Sequence, residues 1–278
     1  MKEVLLPIAI FAGLGVLFGV VLAIAARIFA VKVDERIPQI QELLPGANCG
    51  GCGYSGCAAL AEAIVKGEAS PNACNSCSEE NMKAIGKIMG IEVADKVPMQ
   101  AQVRCAGKCG VAKLQYHYEG AASCIAADKM GGGDKLCAFG CIGLGTCVEA
   151  CKFDALHIID GVAVVDHNKC SGCGACVNVC PKNLIELLPV SSEYYVACRS
   201  KEKGAITRKQ CDAGCIGCGI CAKLCPAGAI TVTDFVASID QSKCEKCGIC
   251  VEKCPRKIIR HENEVYDILI EAQEKKSK

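Results

Sequence analysis

The spacing of its cysteines constrains this chain more than any other feature. Cys244-x2-Cys247-x2-Cys250-x3-Cys254-Pro255 follows Cys215-x2-Cys218-x2-Cys221-x3-Cys225-Pro226. Three thiolates two residues apart wrap one face of a cubane, and the fourth, just before Pro, ligates the other cluster of a two-cluster ferredoxin. These eight cysteines match that arrangement without a gap. They predict two [4Fe–4S] clusters that exchange fourth ligands, in a chain that moves electrons.

Cysteine accounts for 26 of the 278 residues. A disulfide framework suits short secreted chains with dispersed cysteines, whereas these cluster in C-x-x-C runs. A four-ligand zinc site would leave the third C-x-x-C step and the Cys-Pro unexplained. Thiolate-held clusters need a reducing compartment, which places the cysteine-bearing part in the cytoplasm. Trp is absent and aromatics make up 4%. Clusters are therefore expected to replace much of an ordinary core, leaving the apoprotein largely unfolded. A net charge of +1 argues against nucleic acid as a partner.

Val4 to Ala26 carries no charge over 23 residues. As a helix it reaches roughly 34 Å, enough to span a hydrocarbon core with some tilt. The run is longer than a signal-peptide h-region, so an uncleaved single-pass anchor is expected. Arg27, Lys32 and Arg36 follow it and orient the remainder toward the cytoplasm. Gly15-x3-Gly19 offers a close approach to another helix. One span forms no ion path, so membrane work would be shared with partner subunits.

A short charged linker, Lys32 to Glu42, leads to Cys49-x2-Cys52-x4-Cys57-x16-Cys74. Four cysteines give one cluster. Ala58 to Lys66 reads as a helix carrying the chain to Cys74, and Cys77 is a less favoured substitute for that ligand. Met82 to Met89 is amphipathic and reads as a small helix in a connector.

The rest of the chain repeats at an offset of 74 residues. Cys124, Cys137, Cys141, Cys147, Cys151, Cys170, Cys173, Cys176 and Cys180 align with Cys198, Cys211, Cys215, Cys221, Cys225, Cys244, Cys247, Cys250 and Cys254. A ferredoxin-like module is therefore present twice in tandem. Leu144 stands where the second copy has Cys218, so Cys141, Cys147 and Cys180 lack one ligand. Either Cys137 completes that site and Cys105, Cys124, Cys198 and Cys211 hold a further cluster, or repeat symmetry holds. In the symmetric case Cys124, Cys137, Cys198 and Cys211 form the extra cluster, and Cys105 or Cys109 fills the gap. Both routes give about six [4Fe–4S] clusters and 24 ligands, with Cys77 spare and Cys109 the favoured second spare.

Ala155 to Val165 and Ala229 to Ile239 read as hairpins beside the clusters. His117, His157, His167 and His261 lack ligand spacing and read as surface or polar-network residues. No G-x-G-x-x-G after a strand and no P-loop occurs, so nucleotide is expected to bind elsewhere. Gly131 to Gly133 reads as a turn. The expected architecture is α+β. It comprises a transmembrane anchor (1–31), a small helical 4Fe–4S module (32–77), a connector (78–104), two ferredoxin-like modules (105–190 and 191–262) and a charged tail (263–278).

An anchor helix, the Cys49-Gly50-Gly51-Cys52-Gly53-Tyr54-x2-Cys57 module and ferredoxin repeats, in that order, closely resemble the B subunit of the Rnf complex. The two-repeat form is similar to that of clostridia, acetogens and thermotogas. The resemblance implies a membrane ferredoxin:NAD oxidoreductase coupled to Na⁺ or H⁺ export. In such a complex this subunit would receive electrons from soluble ferredoxin, with flavin and NADH sites on other subunits. A membrane-tethered relay without ion pumping is the alternative reading.

Overall fold

The computed structural model describes residues 2–28, 34–262, 264 and 268. The expected charged tail lies outside the described residues. Helix α1 (Lys2–Ile28) runs through the whole uncharged stretch. Its side chains are described from Phe11 to Ala25 and at Arg27. Among the described residues no helix is long and apolar enough to cross a membrane.

Helices α2 (Arg36–Leu43), α3 (Cys57–Val65) and α4 (Glu79–Met89) build the first module. Where a charged linker is expected, α2 forms instead. Ile37, Ile40, Leu43 and Leu44 recur at helical spacing between the charges, and they pack on α3 and α4 with Ile40 fully buried. Helix α4 has clear ends. The Ser78 side chain accepts the Asn81 N–H, Glu79 and Glu80 sit at the positive pole, and Gly90 closes the helix at φ 67°.

Strand β1 (Met99–Val103) lies within the expected connector. It belongs instead to the first ferredoxin-like unit, because it pairs antiparallel with β4 (Ile185–Pro189). Between them come α5 (Cys124–Lys129), α6 (Thr146–Ala150), the hairpin β2 (Leu156–Ile159) and β3 (Val162–Val165), and α7 (Ala175–Val179). The second unit follows the same plan. Strand β5 (Tyr194–Val196) pairs with β8 (Ile259–His261), enclosing α8 (Gly204–Gln210), α9 (Ile220–Leu224), the hairpin β6 (Ile230–Thr233) and β7 (Val236–Ile239), and α10 (Ile249–Glu252).

The strand registers fix how the repeats correspond. Val103 faces Ile185, and Val196 faces Ile259. Ile185 and Ile259 obey the offset of 74, but Val103 and Val196 stand 93 apart. The first copy therefore carries a 19-residue insertion after β1, and the structural counterpart of Cys198 is Cys105 rather than Cys124. The units share a core, since Ala106 and Val164 of the first pack with Tyr195, Val196 and Ala237 of the second. Arg104 ties them further by donating to the Val196 and Ala237 carbonyls and pairing with Glu186 at 3.3 Å.

Candidate iron–sulfur cluster sites

The short helices α6, α7, α9 and α10 each begin after a glycine in the left-handed region, Gly145, Gly174, Gly219 and Gly248. That turn folds each preceding loop back toward its helix, a conformation glycine adopts without a Cβ penalty.

In the first module Cys49, Cys52, Cys57, Cys74 and Cys77 gather around the α2–α3 core. Burial raises the Cys74 thiol pKa, and neighbouring Cys52 and Cys49 add to it. Burial pushes Cys77 to about 11, with Cys74 adding and Lys96 opposing. The Cys77 thiol donates to the Leu43 carbonyl at 3.7 Å, a partner that favours a protonated thiol over an iron ligand.

Four further thiol sets surround the regular motifs. Cys176 is pushed to about 12 by burial, with Cys170, Cys173 and Cys151 around it. Burial also raises Cys221, which has Cys215, Cys254 and Cys218 as neighbours. Cys250 sits at about 11 through burial, beside Cys244 and Cys247. Cys225 occupies the place in the second repeat that Cys151 holds in the first, and each accepts the N–H four residues on, from Ala229 at 3.3 Å and Ala155 at 3.4 Å. Cys180 does the same with Leu184 at 3.4 Å.

The fourth set is the one short of a ligand, and the structure corrects both expectations for it. Cys124 joins Cys141, Cys147 and Cys180 around a cavity of ≈ 370 Å³. Burial pushes Cys147 to about 12, and Cys141, Cys124 and Cys180 are its neighbours. The insertion carries Cys124 there on α5. It is anchored by its N–H donating to Thr146 Oγ1 at 2.8 Å and by the Lys182–Asp128 ion pair at 2.8 Å. Neither Cys137 nor Cys105 nor Cys109 fills the gap left by Leu144. Cys109 is exposed, and its sulfur lies against Gly161.

Cys105, Cys137, Cys198 and Cys211 line a cavity of ≈ 380 Å³ between the repeats. Each repeat contributes two thiols in matching surroundings. Cys105 Sγ accepts N–H groups from Gly107 and Cys141, both at 3.4 Å. Cys198 Sγ accepts them from Ser200 at 3.5 Å and Cys215 at 3.3 Å. A third thiol-lined cavity, around Cys215, Cys218, Cys221 and Cys254, measures ≈ 360 Å³.

These surroundings fit [4Fe–4S] clusters. Thiol sets line cavities instead of closing on a point, and among the described residues no group of three or more His, Cys, Asp or Glu converges to hold a single ion. Backbone N–H groups aimed at sulfur stabilise thiolate ligands and tune a cluster's potential. Cations add to this: the buried Lys135 donates to the Cys141 and Gly161 carbonyls at 2.7 and 2.6 Å, and the half-buried Arg256 to the Cys211 carbonyl at 2.8 Å. Sequence reading missed these two residues, because a lone basic residue near a cysteine carries no pattern. His157 and His167 are half-buried: their Nε2 atoms are buried with no hydrogen-bond partner, and burial lowers the His167 pKa.

The sets adjoin one another in a single line. Cys173 neighbours Cys49 of the first module. Cys147 neighbours Cys176, and Cys141 donates its N–H to Cys105. Cys215 donates to Cys198, and Cys250 neighbours Cys221. The first module is seated tightly, since a Cβ on Gly51 would lie 2.1 Å from the Cys173 carbonyl oxygen. Gly51→Ala is accordingly expected to cost roughly 1–3 kcal/mol. Hydrogen exchange should rise at residues 49–57 and 170–176 and stay unchanged in the second repeat.

Known proteins carry iron–sulfur domains of the same kind. A family model described as a putative Fe–S cluster matches residues 44–76. Models described as 4Fe–4S dicluster domains match residues 140–185, 169–229 and 214–258. The chain is 44% identical over 247 residues to the B subunit of the Na(+)-translocating ferredoxin:NAD(+) oxidoreductase complex of Acetobacterium woodii, covering 88% of this chain and 74% of that one. It is 45% identical to the B subunit of the ion-translocating oxidoreductase complex of Methanosarcina acetivorans, covering 88% and 93%. It is 40% identical to the B subunit of the proton-translocating ferredoxin:NAD(+) oxidoreductase complex of Clostridium ljungdahlii, covering 88% and 87%. With its ferredoxin-like 4Fe–4S domains, the chain belongs to this family of B subunits and is an iron–sulfur electron-transfer subunit of the ion-translocating (Rnf) oxidoreductase complex.

Proposed function

We propose that this subunit passes electrons from reduced ferredoxin along six [4Fe–4S] clusters toward NAD⁺-reducing subunits, while partner subunits export Na⁺ or H⁺. The observation that carries this reading is the unbroken line of adjoining thiol sets from Cys49 to Cys250. Their proposed ligands are Cys49, Cys52, Cys57 and Cys74; Cys151, Cys170, Cys173 and Cys176; Cys124, Cys141, Cys147 and Cys180; Cys105, Cys137, Cys198 and Cys211; Cys215, Cys218, Cys221 and Cys254; and Cys225, Cys244, Cys247 and Cys250. Each cluster supplies a one-electron acceptor and donor. The protein's own part is to hold the thiolates in sequence, exclude water and direct N–H groups at sulfur.

We also assign α1 as the single-pass anchor, with the remainder in the cytoplasm. In support, a continuous helix covers the uncharged run, and Phe11 and Phe18 are 74% and 61% exposed. Relatives named for Na⁺ and for proton translocation match at 44% and 40% identity, so the choice of ion belongs to the partner subunits. The energetics suffice. A drop of ~100 mV over two electrons releases roughly 4.6 kcal/mol. Moving one charge against ~100 mV costs about 2.3 kcal/mol.

Anaerobic iron and acid-labile sulfide analysis of the purified protein is expected to give about 24 iron atoms per chain, four for each cubane. A value near 20 would remove one cluster.

A further inference from the structure

We propose that the cluster shared between the repeats is the electron-holding point of the line, made the most readily reduced by positive charge gathered around its cavity. This rests on the proposed electron-transfer reading and assigns Lys135 and Arg256 as residues that set the shared cluster's potential.

Among the described residues, the cavity bounded by Cys105, Cys137, Cys198 and Cys211 is lined by Arg104, Lys135 and Arg199 and by no carboxylate. Arg104 pairs with Glu186, which offsets its charge. Lys135 has no such partner among the described residues. Only 6% of it is exposed, and its ammonium donates to the Cys141 and Gly161 carbonyls instead. Its backbone is pinned on both sides, by Gln115 N–H to the Asp134 carbonyl and Leu136 N–H to the Lys113 carbonyl, each at 2.8 Å. A buried ammonium held only by carbonyl dipoles is costly unless negative charge lies close by. A thiolate-held cluster carries such charge and gains more on reduction, so this ammonium favours the reduced form.

Arg256 repeats the arrangement from the other repeat. It donates to the Cys211 and Gly214 carbonyls at 2.8 and 3.2 Å and also lines the cavity of Cys215, Cys218, Cys221 and Cys254. Each cation therefore stands between two thiol sets, and the shared set is common to both. Burial raises the Cys141 and Cys211 pKa values, and Lys135 and Arg256 respectively oppose the rise. The exposed Asp212 acts against Arg256 at Cys211. Duplication does not explain the pair. Lys209, at the offset of 74 from Lys135, is exposed on α8, so the second repeat supplies its cation from a different position. By contrast Lys182, at the cavity of the Cys124 set, is offset by Asp128.

Each transfer moves one electron from cluster to cluster, and the cations give up no proton. The test is an EPR-monitored redox titration of the full-length protein carrying its clusters. The shared signal is the one lost in both Cys137→Ala and Cys211→Ala. In the wild type it is expected to appear first as the potential is lowered. Lys135→Met and Arg256→Met should each make its reduction about tenfold less favourable, a fall of about 59 mV for a one-electron couple. Lys135→Arg keeps the charge and should leave the signal in place. High salt should not erase the difference, because buried charge is weakly screened. A shared signal that appears late, that neither Met variant moves, or that Lys135→Arg moves as far as Lys135→Met would overturn the assignment and leave the electron-transfer reading intact. Should Lys135→Met lose iron, the shift in Arg256→Met decides alone. A wild-type protein without reducible cluster signals would overturn both.

Discussion

Removing iron is expected to unfold residues 34–262 rather than leave an empty fold. The reason lies in the size of the elements. Among the described residues the sheets are all two-stranded, with strands of three to five residues, and the helices after α1 run from four to eleven residues. An isolated two-stranded ribbon is marginal in water, and helices below about 12–15 residues do not persist alone. Cysteines stand within all three cores, as Cys215 and Cys221 do beside Ile230 and Val236. Without iron those thiols leave cavities, and cavities are costly. Anaerobic chelation after mild oxidation should flatten the far-ultraviolet circular dichroism and abolish slow amide exchange across both repeats. Retention of slow exchange at β1–β4 or β5–β8 would show a core that stands without clusters.

Burial also sets the sign of the pH response. In the iron-free arrangement it pushes Cys147, Cys176 and Cys198 to about 12. A raised thiol value means that the folded form holds its protons longer than the unfolded chain. Its contribution to stability is complete below the ordinary value of 9 and is lost as pH rises toward 12. Iron binds the thiolate and displaces those protons, so cluster assembly is favoured by the same rise in pH that further disfavours any folded iron-free form.

Much of the fold was legible because cysteine spacing and hydrophobic pattern acted together. The C-x-x-C-x-x-C loops fix where each chain segment turns, and the alternation in residues 155–165 and 229–239 places both hairpins. Helix α2 was not legible, since flanking charges mask four apolar residues that matter only once α3 and α4 are present. The repeat boundary was hidden for a related reason. Cysteine coincidences report the offset of the loops, whereas β1 carries no cysteine and is located only by its pairing with β4. Matching Cys124 to Cys198 preserved the offset of 74, but Cys105 holds the equivalent backbone contacts.

Cys137→Ala and Cys211→Ala are expected to remove one and the same cluster and to give matching EPR spectra, while Cys124→Ala removes a different one. Proximity in sequence argues otherwise for Cys137, because a three-residue gap to Cys141 closes at little loop cost. The structure shows why that saving is not used. Burial raises the Cys137 pKa, with Cys105 and Cys211 as its thiol neighbours. The backbone turns there through the Gly140 N–H to Cys137 carbonyl bond at 3.0 Å, as Gly214 does to Cys211 at 3.3 Å. Matching turns leave both thiols lining one cavity. Cys124 is carried by the insertion to the gap left by Leu144, so the first repeat recovers a full set without drawing on the shared one. Loss of the shared site should cut the line of thiol sets at its middle, abolishing ferredoxin-dependent NAD⁺ reduction while both outer segments keep their EPR signals. If Cys137→Ala instead altered the signal lost in Cys124→Ala, proximity would have prevailed and the shared site would need another fourth ligand.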